Sequence, residues 1–218
     1  MKWEDGIKYE VEFWEKWYKT CGLDWPSDYR FRIDVNTEVQ DHIAKHIHEE
    51  GIRILDVGSG PLTVLGKKHN GKLLDITACD ALADYYDELN FRYRIIPIIS
   101  VEKCRAEALL DKYGTDSFGL VHAQNCIDHC ELPIDAIRHM IGVVKPGGKV
   151  IMRHEVNEGE NEGYGGFHQW NFYGKDGKFM ISGKGNEYNV TDLFSAVSQI
   201  EILIIDGYIT TVITKNAL

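Results

Sequence analysis

A short glycine-rich stretch is the first part of this sequence whose residue types and spacing suit ligand binding. Residues 55–61 read LDVGSGP and follow the continuous apolar run IRILDV at 52–57, which predicts a strand buried on both faces. Gly58 and Gly60 allow the backbone to approach a ligand closely. The dinucleotide-binding fingerprint requires another glycine three residues after Gly60, and Thr63 stands there instead.

Two carboxylates accompany this loop. Asp56 lies at the end of the first predicted strand, where it is unfavourable beside a pyrophosphate and favourable beside a cation. Asp80 ends the second predicted strand, where a carboxylate can accept hydrogen bonds from both hydroxyls of a ribose. Together these residues indicate a site for a nucleoside that carries positive charge.

The elements that position this site alternate along the chain. Apolar runs predict strands separated by helix-compatible stretches, at 52–57, 73–79, 94–100, 118–124 and 149–154. This pattern predicts an α/β fold, a Rossmann-like doubly wound sheet that is mostly parallel. A helix predicted at 192–198 precedes two strands joined at Asp206-Gly207, and this hairpin can place one antiparallel strand in the sheet.

The first 50 residues are predicted to form a helical cap. Val11, Trp14, Trp17 and Tyr18 recur at three- and four-residue steps, which predicts one apolar face of a helix. A turn is expected at residues 25–27 and a second helix at 39–50. The chain is thus predicted to be one domain, with a cap (1–50), a cofactor-binding core (51–155), a substrate-side insertion (156–190) and a terminal helix and hairpin (191–218).

Five motifs in order resemble those of the class I S-adenosylmethionine-dependent methyltransferases. They are ILDVGSGP at 54–61, CD at 79–80, RAEAL at 105–109, LVHAQN at 120–125 and VKPGGKVIM at 144–152. The resemblance covers residues 50–155 and the terminal hairpin. It implies that S-adenosylmethionine is the cofactor and that the activity is methyl transfer.

The same resemblance implies roles for individual residues. It assigns the methionine end of the donor to Asp56 and the glycine-rich backbone, the ribose to Asp80, the adenine edge to Ala106 and Glu107, and the neighbourhood of the sulfonium to Asn125. Glu107 could instead be a solvated glutamate in the first turn of a helix. The donor-binding residues expected are Asp56, Gly58, Ser59, Gly60, Asp80, Ala81, Ala106, Glu107 and Asn125.

The acceptor is expected at the carboxyl ends of the fourth and fifth strands, which are neighbours in the family's strand order. His129 and His154 lie there, and histidine can act as a base near neutral pH. We predict His129, His154 and Glu155 as catalytic residues. Because side chains alternate along a strand, only one of His154 and Glu155 should reach the substrate. For His129 the alternative is a structural role that fixes the loop to the next helix.

Metal binding is not expected. Cys126, His129 and Cys130 are ligand-type residues but have no second pair at zinc-site spacing. Asp128 with Glu155 or Glu158 is the alternative for a hard cation. His42 and His46 lie one helical turn apart without the glutamate of a zinc protease motif, so they are expected on a solvated helix face.

The run RHEVNEGENEGYGGFHQWNF at 153–172 is too long and too polar for a simple connection. We predict that it contributes ring faces and hydrogen-bonding groups to a polar acceptor such as a sugar. The alternative is that Trp170 and Phe172 pack onto the core. A hairpin turning at Asp176-Gly177 should follow. The predicted substrate-binding residues are Arg153, Tyr164, His168, Trp170 and Asn171.

The N-terminal helices are a second candidate cover for the acceptor. Arg30 and Arg32 could bind a phosphate or carboxylate on it, and the nearby rings of Trp14, Trp17 and Tyr29 could close over it. The alternative for this aromatic stripe is packing of helices on the sheet.

Composition restricts the partners. The net charge of −10 disfavours nucleic acid and anionic membranes, so a small-molecule or glycan-precursor substrate is expected. Five scattered cysteines do not form a disulfide framework, which favours a cytoplasmic protein. No apolar targeting segment or membrane span is evident. The oligomeric state stays open, a homodimer included.

The sequence therefore predicts methyl transfer from S-adenosylmethionine to a hydroxyl, or less favourably an amine, of a small polar metabolite or sugar precursor. The motifs N-x-x-D-H and HQWNF also resemble a bacterial subgroup that we associate loosely with polysaccharide biosynthesis. Two rival functions stay open. One is a non-catalytic module that binds the donor, and the other is a nicotinamide-dependent oxidoreductase.

Overall fold

Strands and helices alternate through most of the chain in the computed structural model, which describes residues 3–217. The helices are α1 (Trp3–Thr20), α2 (Pro26–Ile33), α3 (Asp41–Ala44), α4 (Ala83–Tyr93), α5 (Leu109–Tyr113), α6 (Pro133–Val143), α7 (Glu158–Asn161) and α8 (Val190–Leu193). Single 3-10 turns occupy Ala106–Ala108 and Ile127–His129. No helix among the described residues is long and apolar enough to cross a bilayer.

The strands are β1 (Arg53–Val57), β2 (Lys68–His69), β3 (Lys72–Leu73), β4 (Asp75–Asp80), β5 (Val101–Lys103), β6 (Phe118–Gln124), β7 (Val144–Glu155), β8 (Asn171–Lys175), β9 (Lys178–Gly183), β10 (Asn186–Asn189), β11 (Ser198–Ile205) and β12 (Tyr208–Lys215). Seven of them form one sheet in the order β11-β12-β7-β6-β1-β4-β5. The predicted Rossmann-like fold is confirmed, since β12 alone runs antiparallel to its two neighbours in this sheet.

The carboxyl ends of β1, β4, β6 and β7 meet at one edge of the sheet, because these strands are parallel and adjacent. The insertion between β7 and β11 forms a separate antiparallel sheet in the order β10-β9-β8. Its predicted hairpin at Asp176-Gly177 is present. Both turn residues have positive φ (52° and 74°), which is the geometry of the favoured two-residue hairpin turn.

Each face of the large sheet is covered by apolar side chains. On one face Leu55, Val121 and Met152 pack with α6 and with Phe172 and other residues of the small sheet. On the opposite face the core residues are Val39, Ile43, Ile52, Ile54, Leu65, Ile76, Leu120 and Ile151. The sheet is therefore buried on both sides, as its continuous apolar runs predict.

Four local predictions are wrong. Residues 94–100 are not a strand, because Arg94 ends α4 with a left-handed φ of 56° and Pro97 has no N–H for a ladder. Only Asp41–Ala44 are helical within 39–50. The expected turn at 25–27 instead begins α2, where Pro26 fills the first helical position, at which no N–H is needed. The helix predicted at 192–198 is a four-residue helix, Val190–Leu193.

Candidate active site

The glycine-rich loop follows β1 directly and is held by the ends of two neighbouring strands, β4 and β6. The N–H groups of Gly58 and Ser59 donate to the carbonyl of Cys79 at the end of β4, at 2.8 and 3.2 Å. Gly58 and Gly60 have φ of 63° and 65°, a region that disfavours other residues. A Cβ at Gly58 would lie 2.5 Å from the Cys126 sulfur, so the loop backbone requires glycine for packing as well.

Asp80 lies at the end of β4 and is 9% exposed. Its carboxylate accepts hydrogen bonds from the N–H groups of Gly60 (3.0 Å) and Leu82 (2.8 Å). Burial raises the pKa of Asp80 to about 7, against the opposing effect of these N–H groups, and the nearby carboxylate of Glu10 raises it further. Ala81 follows at the same edge and is partly exposed.

Asp56 occupies a different environment from Asp80. It is 1% exposed, and one of its oxygens accepts a hydrogen bond from the Thr63 hydroxyl. The other oxygen lies 2.7 Å from Nδ1 of His122, a buried residue of β6 whose role no local sequence pattern indicates. Asp56 is therefore more deeply buried than Asp80, and its carboxylate is engaged by side chains of the protein rather than by the backbone of the glycine-rich loop.

Two further residues predicted at the donor site are tied to backbone. Glu107 accepts hydrogen bonds from the N–H groups of Glu131 (3.1 Å) and Leu132 (3.3 Å) and lies beside Arg105, so it holds the segment that precedes α6. It is therefore not the solvated glutamate of the alternative interpretation. Ala106 is buried beside it, in the core that covers this face of the sheet.

Asn125 joins the ends of β6 and β7. Its N–H donates to the carbonyl of Arg153 (3.0 Å), and its Oδ1 accepts a hydrogen bond from the N–H of Glu155 (3.2 Å). The residue has a φ of 45° and is exposed at the carboxyl edge of the sheet. Asn125 therefore lies where the carboxyl ends of β6 and β7 meet, and its role beside the sulfonium stays a prediction.

His154 is buried, with 2% of its surface exposed. Its Nε2 accepts hydrogen bonds from the N–H groups of Ile127 (3.1 Å) and Cys126 (3.4 Å), and its ring lies 4.6 Å from that of Phe172. Burial lowers the pKa of His154 to about 4, so the ring is neutral near pH 7. The predicted role as catalytic base disagrees with this geometry, in which His154 supports the turn after β6.

Glu155 points to the opposite face of β7, as strand alternation predicts, and accepts a hydrogen bond from the Tyr208 hydroxyl at 2.8 Å. Glu158 lies close to Glu155 and to His168. Burial and the neighbouring Glu155 carboxylate raise the pKa of Glu158 to about 7. This edge of the sheet therefore carries a concentration of acidic groups.

Asp128, His129 and His168 meet beside the end of β6, and we refer to these three side chains as the Asp128 cluster. Oδ2 of Asp128 lies 2.9 Å from Nδ1 of His168 and 3.4 Å from Nε2 of His129, and the two ring nitrogens are 3.2 Å apart. Burial disfavours ionisation of Asp128, but His129, His168 and His154 outweigh it and lower its pKa to about 2. Asp128 is therefore ionised, and it raises the pKa of His168 against the opposing effect of burial.

Residues 55–152 match the model of a family described as a methyltransferase domain. The fold is similar to that of a Methanococcus maripaludis protein assigned as an S-adenosyl-L-methionine-dependent methyltransferase. The two share 15% identity with a TM-score of 0.59, over 95% of this chain and 93% of that one. Residues 55–152 of this chain therefore form a methyltransferase domain whose cofactor is S-adenosylmethionine. No curated protein matches its sequence significantly.

Two other structures show that this fold accompanies different acceptor chemistries. The methyltransferase resembles the CurJ carbon methyltransferase (14% identity, TM-score 0.55, 80% of this chain) and an O-methyltransferase family protein from Burkholderia thailandensis (11%, 0.52, 81%). The chain spans 52% and 56% of those two chains, about half of each. The likenesses establish the fold of the methyltransferase and leave its acceptor open.

The predicted substrate-binding residues of the insertion differ in burial and in the groups that they contact. Trp170 is 4% exposed and donates its Nε1–H to the carbonyl of Cys130 at 2.9 Å, so the alternative of core packing is correct for this ring. Asn171 is also buried. Its Oδ1 accepts a hydrogen bond from the N–H of Glu160, and its amide donates to the Tyr164 hydroxyl. Both side chains are therefore engaged in hydrogen bonds within the protein.

Tyr164 and Arg153 lie away from the Asp128 cluster. Tyr164 borders an open polar groove of about 470 Å³ on the outer side of the insertion, together with Gln169, Lys184 and Asn186. The Arg153 guanidinium stacks 3.6 Å from the centre of the Tyr208 ring. Of the predicted substrate residues, only His168 therefore belongs to the Asp128 cluster.

The N-terminal helices of the methyltransferase pack directly on the donor loop. A Cβ at Gly60 would lie 2.6 Å from the Trp14 ring, and one at Gly6 would lie 2.3 Å from the ring of Phe167 in the insertion. Arg32 donates to the loop carbonyls of Ser59 (3.3 Å) and Leu62 (2.6 Å) and pairs with Asp28. The prediction that Arg32 binds an acceptor anion is therefore at odds with its contacts, which support the loop. Arg30 is exposed.

Proposed function

We propose that this methyltransferase transfers a methyl group from S-adenosylmethionine to a hydroxyl oxygen of a small polar metabolite or of a sugar or glycan precursor. The observation that carries the proposal is the Asp128 cluster, which lies at the carboxyl end of β6 beside the donor loop. A hydroxyl must lose its proton when it is methylated, and a neutral amine needs less assistance. Two imidazoles and an ionised carboxylate are groups that can assist this loss.

The donor site in this proposal consists of the Gly58–Gly60 backbone and Asp80, flanked by Ala81, Ala106 and Asn125. When bound, S-adenosylmethionine supplies a methyl carbon activated by the adjacent sulfonium. The residues present fit it, because the Asp80 carboxylate stands at the end of β4 against the glycine loop, where both ribose hydroxyls can donate to it. Asp56 acts as a positioning residue that orders Thr63 and His122 beneath the loop.

The bonds change as follows in the proposed reaction. A lone pair of the acceptor oxygen forms the new bond to the methyl carbon, and the electron pair of the broken carbon–sulfur bond returns to sulfur. The acceptor proton leaves through the Asp128 cluster to solvent. The products are a methyl ether, S-adenosylhomocysteine and a proton. The protein contributes mainly alignment and removal of the proton, which is where such an enzyme can lower the barrier.

Charge supports a small acceptor over a nucleic acid. The chain carries a net charge of −10, and the Asp128 and Glu155 carboxylates lie at this edge of the sheet. A polyphosphate backbone would be repelled from this edge of the sheet. A neutral polyhydroxylated molecule meets no such repulsion and can use the many hydrogen-bonding groups there.

The test is turnover of S-adenosylmethionine with a labelled methyl group against a panel of sugars, sugar nucleotides and other polar metabolites, with the methyl located by NMR. We expect a methyl ether. The D80N variant is the control, since it should lose donor binding and turnover together. A methyl on nitrogen or carbon would refute the proposed acceptor. Donor binding without S-adenosylhomocysteine formation from the panel or from a cell extract would favour the non-catalytic module.

A further inference from the structure

The Asp128 cluster has the dimensions of a metal site. Its three ligand-type atoms form a triangle with sides of 2.9, 3.2 and 3.4 Å. Ligands bound to one Zn²⁺ at about 2.0–2.1 Å lie about 2.8–3.4 Å apart, from right-angled to tetrahedral geometry. Among the described residues this is the group of histidine, cysteine and acidic side chains whose ligand atoms converge in this way.

The hydrogen bonding of Asp128 is unusual for a purely structural network. Both imidazole nitrogens approach the same oxygen, Oδ2, whereas Oδ1 is buried without a hydrogen-bond partner. A buried carboxylate oxygen without a partner is costly, and carboxylates at structural sites normally use both oxygens. A cation on this carboxylate would compensate the buried charge.

Hydrogen bonds to the backbone fix the segments that carry the three ligand residues. The turn that carries Asp128 and His129 is fixed because His154 accepts its backbone N–H groups. The segment that carries His168 is tied to the same turn. The N–H of Gln169 donates to the Asp128 carbonyl at 3.4 Å, and the Trp170 indole donates to the Cys130 carbonyl at 2.9 Å. Supported ligands of this kind are what a preorganised metal site requires.

We propose that Oδ2 of Asp128, Nε2 of His129 and Nδ1 of His168 bind one divalent transition-metal ion of the Zn²⁺ class. Two imidazoles and one carboxylate suit zinc, iron, cobalt or nickel better than magnesium or calcium, which prefer oxygen ligands. The histidine side chains are 17% and 29% exposed, so the site is accessible from solvent and can take a further ligand. Cys126 and Cys130 take no part, because their thiols lie near the carbonyls of Val57 and Cys126.

The ion has a role in the reaction that rests on the proposed function. The acceptor hydroxyl binds through its oxygen at the open position, and the charge of the ion lowers the pKa of that hydroxyl. With the ion bound, the proton would pass to solvent, and the acceptor oxygen would attack the methyl carbon while the carbon–sulfur electron pair returns to sulfur. The Asp128 cluster would then assist loss of the acceptor proton through the charge of the ion rather than as a base, because atoms that bind the ion cannot also accept the proton.

The binding test uses the full chain after dialysis against a chelator, titrated with Zn²⁺ in a calorimeter and with Co²⁺ in a spectrophotometer. We expect one ion per chain and visible Co²⁺ absorption typical of four- or five-coordination. The H168Q variant should bind at least about 100-fold more weakly, and H69Q, which removes a histidine far from the cluster along the chain, should bind like wild type. Absence of stoichiometric binding, or equal affinity in H168Q, would overturn the proposal.

Two measurements separate loss of the ion from loss of the fold or of the proposed function. H168Q should still bind S-adenosylhomocysteine, and Zn²⁺ should raise the melting temperature of wild type but not of H168Q. If H168Q does not bind S-adenosylhomocysteine, the D128N variant replaces it in the same titrations. Metal binding without any methyl ether product would contradict the proposed function alone, whereas methyl ether formation at full rate in the metal-free chain would overturn the metal's role.

Discussion

The protonation of Asp80 should control donor affinity near neutral pH. Burial raises its pKa to about 7, well above the ordinary value of 3.8. The two ribose hydroxyls of the donor need a carboxylate that accepts both hydrogen bonds, and a protonated carboxyl accepts fewer. Donor affinity should therefore rise with pH as Asp80 ionises.

The magnitude follows from the fraction of Asp80 that is ionised in the free protein. With a pKa of about 7, that fraction is roughly one tenth at pH 6 and nine tenths at pH 8. If only the ionised form binds, the affinity changes about tenfold over this range, which is about 1.4 kcal/mol. Glu10 contributes to the raised pKa of Asp80, so E10Q should move the midpoint to lower pH.

Calorimetric titration with S-adenosylhomocysteine at pH 6, 7 and 8 checks this expectation. Wild type should bind more tightly at each step, and D80N should bind weakly with no such trend. The pH dependence of folding stability has the opposite sign to that of donor affinity. The folded state holds the Asp80 proton between about pH 4 and 7 while the unfolded chain has lost it, so this residue lowers stability as pH rises. Wild-type affinity that is flat from pH 6 to 8 would refute the reasoning.

Three further variants test the surrounding structure. G60A should lower the free energy of unfolding more than G71A. Both glycines have positive φ, but only Gly60 faces a ring, that of Trp14. Thermal melts of the two variants compare the effects. H154A should lower the free energy of unfolding by about 2–4 kcal/mol, as measured with denaturant, because it leaves a cavity and two backbone N–H groups without an acceptor. If stability is unchanged and turnover is lost, His154 has the catalytic role after all. R32M should weaken S-adenosylhomocysteine binding by about 1.5–3 kcal/mol, because the carbonyls of Ser59 and Leu62 lose a charged hydrogen-bond donor. The exposed control R30M should bind S-adenosylhomocysteine normally in the same calorimetric assay.

The alternation of strands and helices, the glycine-rich loop and the two late hairpins could be predicted from the sequence because their causes are local. Apolar runs specify buried strands, and Asp-Gly pairs adopt the positive φ of a two-residue turn, as at Asp206-Gly207 (50° and 77°). The same local reasoning failed at 94–100, where an apolar run reads as a strand but lies beyond the edge of the paired segment.

The roles of particular side chains were decided by the tertiary structure. Strand alternation correctly separated His154 from Glu155, but it could not tell which face of β7 is buried beneath the insertion. Asp56 has the residue type expected of a donor ligand, yet His122 from a neighbouring strand engages it.

The Asp128 cluster depends on the fold in the same way. Asp128 and His129 lie some 40 residues before His168, and their meeting requires the insertion to fold back over the end of β6. Residue types and local conformation are properties of short segments and can be read from the sequence. Which side chains share a site depends on packing between segments far apart in the chain, and the three-dimensional structure alone determines it.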